Sequence, residues 1–102
     1  MSAVRSLRRE DILQALRASR ESLESFGVAR VALFGSFARD EGRKDSDVDL
    51  LVEFGRPVGL IEFVRLRRRL VEIIGHPVDL VTPAALKPQL RDRILREAVL
   101  AA

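Results

Sequence analysis

Gly35-Ser36 and, after ten intervening residues, Asp47-Val48-Asp49-Leu50 are the residues of this chain whose types and spacing could do chemistry. The run Val31-Ala32-Leu33-Phe34 before the glycine is apolar and β-compatible, so the Gly-Ser step falls where a buried strand gives way to a turn. Glycine at that point lets a phosphate or another stretch of backbone come close. Ser36 adds a hydroxyl and a peptide N–H at the start of a short helix, Phe37-Ala38-Arg39, where unpaired N–H groups favour an anion.

Asp47 and Asp49 open a second strand. Its two-residue period puts both carboxylates on one face and turns Val48 and Leu50 to the other. Like charges that close raise each other's pKa unless a cation lies between them. Hard oxygen ligands of this kind suit Mg²⁺, which takes one or two protein carboxylates together with substrate phosphate oxygens. Asp79, in the apolar run Val78-Asp79-Leu80-Val81, is a lone carboxylate where a charge is unfavourable without a partner, and it is a candidate third ligand. A phosphate grip next to a metal-binding pair implies nucleotide chemistry.

The elements that must position these residues follow from hydrophobic period and punctuation. A helix is predicted over 9–25, with Ile12, Leu13, Leu16 and Leu23 on one stripe, Glu10 and Asp11 in the first turn and Gly27 as the stop. The first strand follows. The polar segment 39–46 reads as a loop that returns the chain to a second strand over 48–54, ended by Gly55-Arg56-Pro57. A helix over 60–74 precedes Gly75-His76-Pro77 and the third strand at 78–81. Pro83 to Leu86 reads as a short helical turn, and a last helix over 88–100 starts at Pro88, where a missing N–H costs little. The pattern predicts an α/β (α+β) fold: a small mixed sheet of three strands with helices mainly on one face.

The 60–74 helix is apolar at Leu60, Phe63, Val64, Leu66, Leu70, Val71, Ile73 and Ile74. At ~100° per residue these span roughly 180°, wider than the ~100° stripe of a one-sided helix. The excess predicts a partner surface, with Arg67 either snorkelling out of the apolar sector or meeting an acid across an interface.

At 102 residues the chain fits one domain with enough apolar surface to fold, so a single domain over 1–102 is expected. With no second domain to hold an acceptor, that acceptor is expected to be a protein or nucleic acid able to position itself. The absence of cysteine excludes disulfides and thiolate metal sites. No signal-peptide core and no membrane-length apolar run is present, so a cytoplasmic protein with no membrane association is expected. The isoelectric point near 10.5 suggests nucleic acid. The net charge is only +3, however, and sixteen of the eighteen basic residues are arginine, so even a small positive excess drives the value up. Charge alone therefore does not argue for DNA or RNA.

The stretch GSFARDEGRKDSDVDLLVEF resembles the signature of the DNA polymerase beta-like nucleotidyltransferase superfamily: Gly-Ser, a spacer, Asp-x-Asp and a third carboxylate on a later strand. The spacing is similar to that of its small branch, the minimal nucleotidyltransferases, often paired with HEPN-domain proteins for which they act as antitoxins. The likeness covers 28–82. It implies that Gly35 and Ser36 hold the triphosphate of a nucleotide, with Arg39 a further phosphate contact. It also implies that Asp47 and Asp49 bind two Mg²⁺ ions, and that Asp79 completes the metal site and takes the acceptor's proton. The implied reaction moves AMP from ATP to a hydroxyl of a HEPN-type toxin and releases pyrophosphate. One departure stands out: many relatives carry glycine after the arginine that matches Arg39, whereas this chain has Asp40-Glu41 and reaches its glycine at Gly42.

Plainer readings exist for each residue. Gly35-Ser36 alone is also an ordinary strand-to-helix turn with a serine cap, Asp47 a loop-end acid and Asp49 a salt-bridged strand acid. Glu53 shares the face of Asp49 but lies ~13 Å along the strand and reads as structural. His76 reads as a loop residue rather than a base. The rival functions are an antitoxin that neutralises its partner by binding through the 60–74 helix, and a nucleotide-adding enzyme acting on RNA or a small molecule.

Overall fold

A computed structural model of the chain describes residues 7–102; the first six positions of the expected domain lie outside the described residues. The elements run α1 (Arg9–Ala18), α2 (Arg20–Ser25), β1 (Val28–Phe34), α3 (Gly35–Ala38), β2 (Val48–Phe54), α4 (Leu60–Ile74), β3 (Val78–Val81), a 3₁₀ turn (Pro83–Ala85), α5 (Pro88–Glu97) and β4 (Val99–Leu100). The four strands form one sheet in the order β3-β2-β1-β4. β1 is antiparallel to both its neighbours, while β2 and β3 run parallel, with α4 as the crossover between them. The sheet is therefore mixed.

Alternation along the strands separates two faces. Val31, Leu33, Val48, Leu50, Val52, Val78 and Leu80 are buried, and they meet Ile12, Leu13, Leu16, Leu23, Leu66 and Leu70 from α1, α2 and α4 in one core. Each side chain of this size contributes ~1.5–3 kcal/mol when fully removed from water. The opposite face carries Arg30, Ala32, Asp49, Leu51, Glu53 and Asp79, with α5 leaning over part of it.

β2, α4 and β3 have the limits their sequence predicts. The N-terminal helix differs: it breaks at Ser19 into α1 and α2. No large apolar side chain lies between Leu16 and Leu23 to hold one continuous axis, so the second segment re-aims and buries Leu23 against β1.

The last helix also differs, ending at Glu97 rather than at 100. Val99 and Leu100 form a fourth strand opposite Leu33 and Ala32. The pairing continues through Ala101 and Ala102, whose N–H groups both donate to the Val31 carbonyl. Without β4 that side of β1 would be an unpaired edge.

The α4 expectation is met in part. Leu66 and Leu70 are fully buried, and Phe63, Val71, Ile73 and Ile74 pack against the core, but Leu60 and Ile61 remain 78% and 70% exposed, with Val64 also open. Arg67 is exposed, as expected of a side chain that snorkels out of the apolar sector. Its Nε donates to the Val78 carbonyl at 3.0 Å, supplying a partner for the edge strand β3.

Candidate active site

Three adjacent strands deliver the candidate residues to one end of the sheet. Phe34, the last residue of β1, lies opposite Asp49 of β2, and Asp49 lies opposite Asp79 of β3. Asp47 immediately precedes β2, whose start is fixed by Val48 N–H donating to the Pro77 carbonyl at 2.9 Å. Because Val48 and Leu50 are buried in the core, Asp47 and Asp49 fall on the other face, as the period requires.

The chain leaves β1 through Gly35, which has φ +73, a left-handed conformation that glycine adopts without a Cβ penalty. A second constraint acts at the same position: a Cβ on residue 35 would overlap the Asp49 carboxylate. The glycine of one motif is thus in direct contact with the aspartate of the other, although fourteen positions separate them. α3 then begins, and no side chain caps its N-terminus. The serine-cap reading of Ser36 therefore does not hold; its carbonyl instead accepts from Arg39 N–H at 3.2 Å and from Glu41 N–H at 2.8 Å. Those bonds close the loop at the far end of α3 and leave its first N–H groups directed away from them.

The missing glycine after Arg39 has a structural answer. Asp40 itself takes up a left-handed conformation, φ 59, which aspartate tolerates better than most residues. Its Oδ1 accepts from Arg9 N–H at 3.1 Å, and the Arg9 guanidinium donates to the Ala38 carbonyl at 3.3 Å. The start of α1 is thereby hooked onto the Gly-Ser loop. Gly42 is required for another reason, since a Cβ there would run into the Phe37 ring. Phe37 is buried and meets His76 edge-on with ring centroids 5.3 Å apart, so the only histidine is a packing residue at this loop.

Electrostatics single out Asp49. It is half-buried, and its pKa is pushed up from 3.8 to about 6, first by burial, then by the neighbouring Asp79 and Asp47 carboxylates, with Arg39 pulling the other way. Arg39 is held by two acids, Glu41 at 3.3 Å and Glu97 of α5 at 3.6 Å. Glu97 has no signal in the sequence, because its position depends on where α5 ends. Glu53 pairs with Arg30 at 3.7 Å, in keeping with a structural role. Arg43 bonds through its backbone, in a reciprocal turn with Ser46.

Among the described residues, no three acids or histidines converge closely enough to enclose a metal ion. Asp47, Asp49 and Asp79 instead lie within Coulombic reach of one another at the end of the open face. Their chemistry fits a hard divalent cation: every donor is a carboxylate oxygen, and the repulsion of Asp49 by Asp79 and Asp47 is of the kind a bound cation relieves. Also among the described residues, no helix is long and apolar enough to cross a membrane.

Comparison with known proteins agrees with this geometry. Residues 13–101 match the nucleotidyltransferase domain family. The chain is 41% identical over 91 residues to the protein adenylyltransferase MntA of Thermococcus cleftensis, covering 88% of this chain and 92% of that one. It superposes on a solved candidate minimal nucleotidyltransferase with TM-score 0.72 and 44% identity, covering 85% and 93% of the two chains. At the level of fold alone it resembles a chain from the tri-AMPylated Shewanella oneidensis HEPN toxin in complex with MNT antitoxin, with TM-score 0.62, 18% identity and coverage of 88% and 71%. With the Gly-Ser loop, the paired aspartates and the mixed sheet in place, the chain belongs to the nucleotidyltransferase domain family, in its minimal branch, and is an enzyme of the nucleotidyltransferase class.

Proposed function

We propose that this chain transfers AMP from ATP to a hydroxyl of a partner protein, releasing pyrophosphate, and that the partner is a HEPN-type toxin silenced by the modification. The observation that carries the reading is the contact between the Gly35 backbone and the Asp49 carboxylate, which brings the candidate phosphate turn and the candidate metal ligand together. The 41% identity to a protein adenylyltransferase supports the reaction, and the likeness of fold to the antitoxin of a HEPN complex supports the partner. The whole of residues 1–102 is read as one catalytic domain working in the cytoplasm.

Each site residue has a role in this reading. The Gly35 and Ser36 N–H groups receive the β- and γ-phosphates at the uncapped start of α3. Arg39, on the far side of α3, adds positive charge next to them and exchanges its acidic partners for phosphate oxygens. Asp47, Asp49 and Asp79 would hold two Mg²⁺ ions, which when bound lower the pKa of the acceptor hydroxyl and neutralise the departing pyrophosphate. Asp79, exposed on β3 beside Asp49, takes the proton from the acceptor hydroxyl.

Intact mass spectrometry of the partner that co-purifies with the tagged chain, after incubation with ATP and Mg²⁺, tests this. The partner is expected to gain whole AMP units with the native chain and none with Asp47→Asn. An unchanged mass on a tightly bound partner would favour the second reading, neutralisation by binding alone, for which the exposed Leu60, Ile61 and Val64 of α4 are the motivating surface.

A further inference from the structure

The short helix that opens at Gly35 cannot hold its own shape. α3 is four residues long, a single turn, and one turn restricts more backbone freedom than its own hydrogen bonds offset. Its carbonyls show what holds it. That of Gly35 accepts from Arg39 N–H, that of Ser36 from Arg39 and Glu41 N–H, and that of Phe37 from Asp40 N–H, all within the loop. The fourth, on buried Ala38, accepts from the Arg9 guanidinium of α1 at 3.3 Å. α1 receives a bond in return. The N–H of Arg9, its first residue, is one that a helix start leaves without an intrahelical acceptor, and Asp40 Oδ1 accepts it at 3.1 Å. The carboxylate there also faces the positive end of the α1 dipole. α1 and the loop after α3 thus cap each other.

Residue 40 reaches the Gly-Ser turn through its neighbours. Asp40 has φ 59, a conformation that glycine adopts without strain and aspartate does not. The residues on either side of it, Arg39 and Glu41, both donate their N–H to the Ser36 carbonyl, at 3.2 and 2.8 Å. A trans peptide is planar with its N–H opposed to its C=O, so whatever fixes the Ser36 carbonyl also fixes the Phe37 N–H across the same bond. In a helix that N–H is directed back toward the first turn, here toward Gly35. The aspartate therefore does something glycine would not: it ties the Gly-Ser turn to a ten-residue helix whose Ile12, Leu13 and Leu16 are packed in the core.

We propose that Asp40 and Arg9 are positioning residues for nucleotide binding, whose reciprocal bonds hold the Ser36–Phe37 peptide in the orientation that receives the triphosphate. The inference rests on the AMP-transfer reading and adds to it the pair that pre-organises the phosphate turn. Both residues act through the turn and not by contact with the nucleotide.

The test compares Asp40→Gly, which keeps a left-handed backbone and loses the acceptor, with Asp40→Asn, which tolerates the same φ and keeps a side-chain carbonyl oxygen. Arg9→Ala removes the guanidinium and leaves the backbone N–H of position 9. Binding of ATP and of inorganic tripolyphosphate, each with Mg²⁺, is measured by calorimetry beside each variant's unfolding temperature. Asp40→Gly and Arg9→Ala are each expected to weaken both ligands by a common factor of about three- to tenfold, the span of one net hydrogen bond. Asp40→Asn should recover most of that loss. Because the two substitutions release one clasp, the double variant should lose less than the product of the single losses. A lowered unfolding temperature with unchanged affinities would make the clasp structural only and overturn the proposal. So would an Asp40→Asn variant as weak as Asp40→Gly, a loss for ATP without one for tripolyphosphate, or a native chain that binds neither ligand. Transfer to the co-purified partner separates the two levels of the account. Asp40→Gly should raise the KM for ATP and leave kcat nearly unchanged. Modification of the partner with the native KM sinks the clasp and leaves the transfer reading, whereas the expected binding losses with a partner that is never modified sink the transfer reading and leave the clasp.

Discussion

The two faces of β2 are built from one seven-residue strand to opposite rules. Val48, Leu50 and Val52 are wholly buried in the apolar core. On the other side Asp49, half-buried, carries a charge that its surroundings disfavour, and Asp47 precedes it at the strand mouth. The first face obtains its energy from excluding water, and any well-packed set of similar side chains would serve. The second keeps an unfavourable carboxylate in contact with a left-handed glycine, an arrangement that costs the fold stability and that the proposed cation and phosphate would relieve. Stability and chemistry are thus separated by the period of a single strand.

That separation can be broken deliberately. Asp49→Asn should lower AMP transfer by at least about 10²–10³-fold, the loss typical when one transition-state electrostatic contact is removed, while the metal-free protein unfolds no earlier than the native chain. A parallel loss of folding, seen by circular dichroism, would place Asp49 in the framework instead. Leu50→Ala, one residue on and facing the other way, should do the reverse. It should cost ~2–5 kcal/mol of stability in denaturant titration. The fraction that remains folded should transfer at near-native rates.

Gly35→Ala tests the contact between the two motifs. The left-handed backbone alone costs a non-glycine residue ~1–2 kcal/mol. The added methyl must also displace the Asp49 carboxylate, so transfer should fall along with stability. Transfer at the native rate would show that the contact is incidental.

The smallest effect concerns pH. In the unfolded chain the Asp49 carboxyl titrates near 3.8, and in the folded protein at about 6. Below 3.8 both states hold the proton and the group is neutral toward stability. Between the two values the unfolded state ionises first, so stability falls as pH rises, and above about 6 the full penalty remains. Without Mg²⁺, the difference in unfolding temperature between Asp49→Asn and the native chain should therefore grow across that window and then level off. A constant difference from acid to neutral pH would contradict the shift.

What was legible beforehand follows the same division. β2, α4 and β3 were readable because apolar β-compatible runs and a long apolar stripe are closed by Gly55-Arg56-Pro57 on one side and Gly75-His76-Pro77 on the other. Gly35, Ser36, Asp47, Asp49 and Asp79 were nameable as a set because together they resemble the nucleotidyltransferase pattern of Gly-Ser, Asp-x-Asp and a carboxylate on a later strand. β4 was not legible: two residues carry no period, and Val99 and Leu100 continue the apolar spacing of α5. The break at Ser19 reflects an apolar gap that a helical stripe tolerates on paper. Asp40 in a left-handed turn, Arg9 clasping Ala38 and Arg39 held by Glu97 all depend on tertiary neighbours that no local pattern encodes. The Gly35–Asp49 contact belongs with them, since it arises from the Phe34–Asp49 register and not from spacing along the chain.

The most direct measurement asks which phosphorus of ATP the acceptor attacks. The chain and its partner would be incubated with Mg²⁺ and ATP labelled at either the α- or the γ-phosphorus, and the partner protein counted for retained label. The account predicts that α-label is retained and γ-label leaves in pyrophosphate. Retention of the γ-label would mean that the Gly35–Asp49 site transfers phosphate rather than AMP, and the central claim would be wrong.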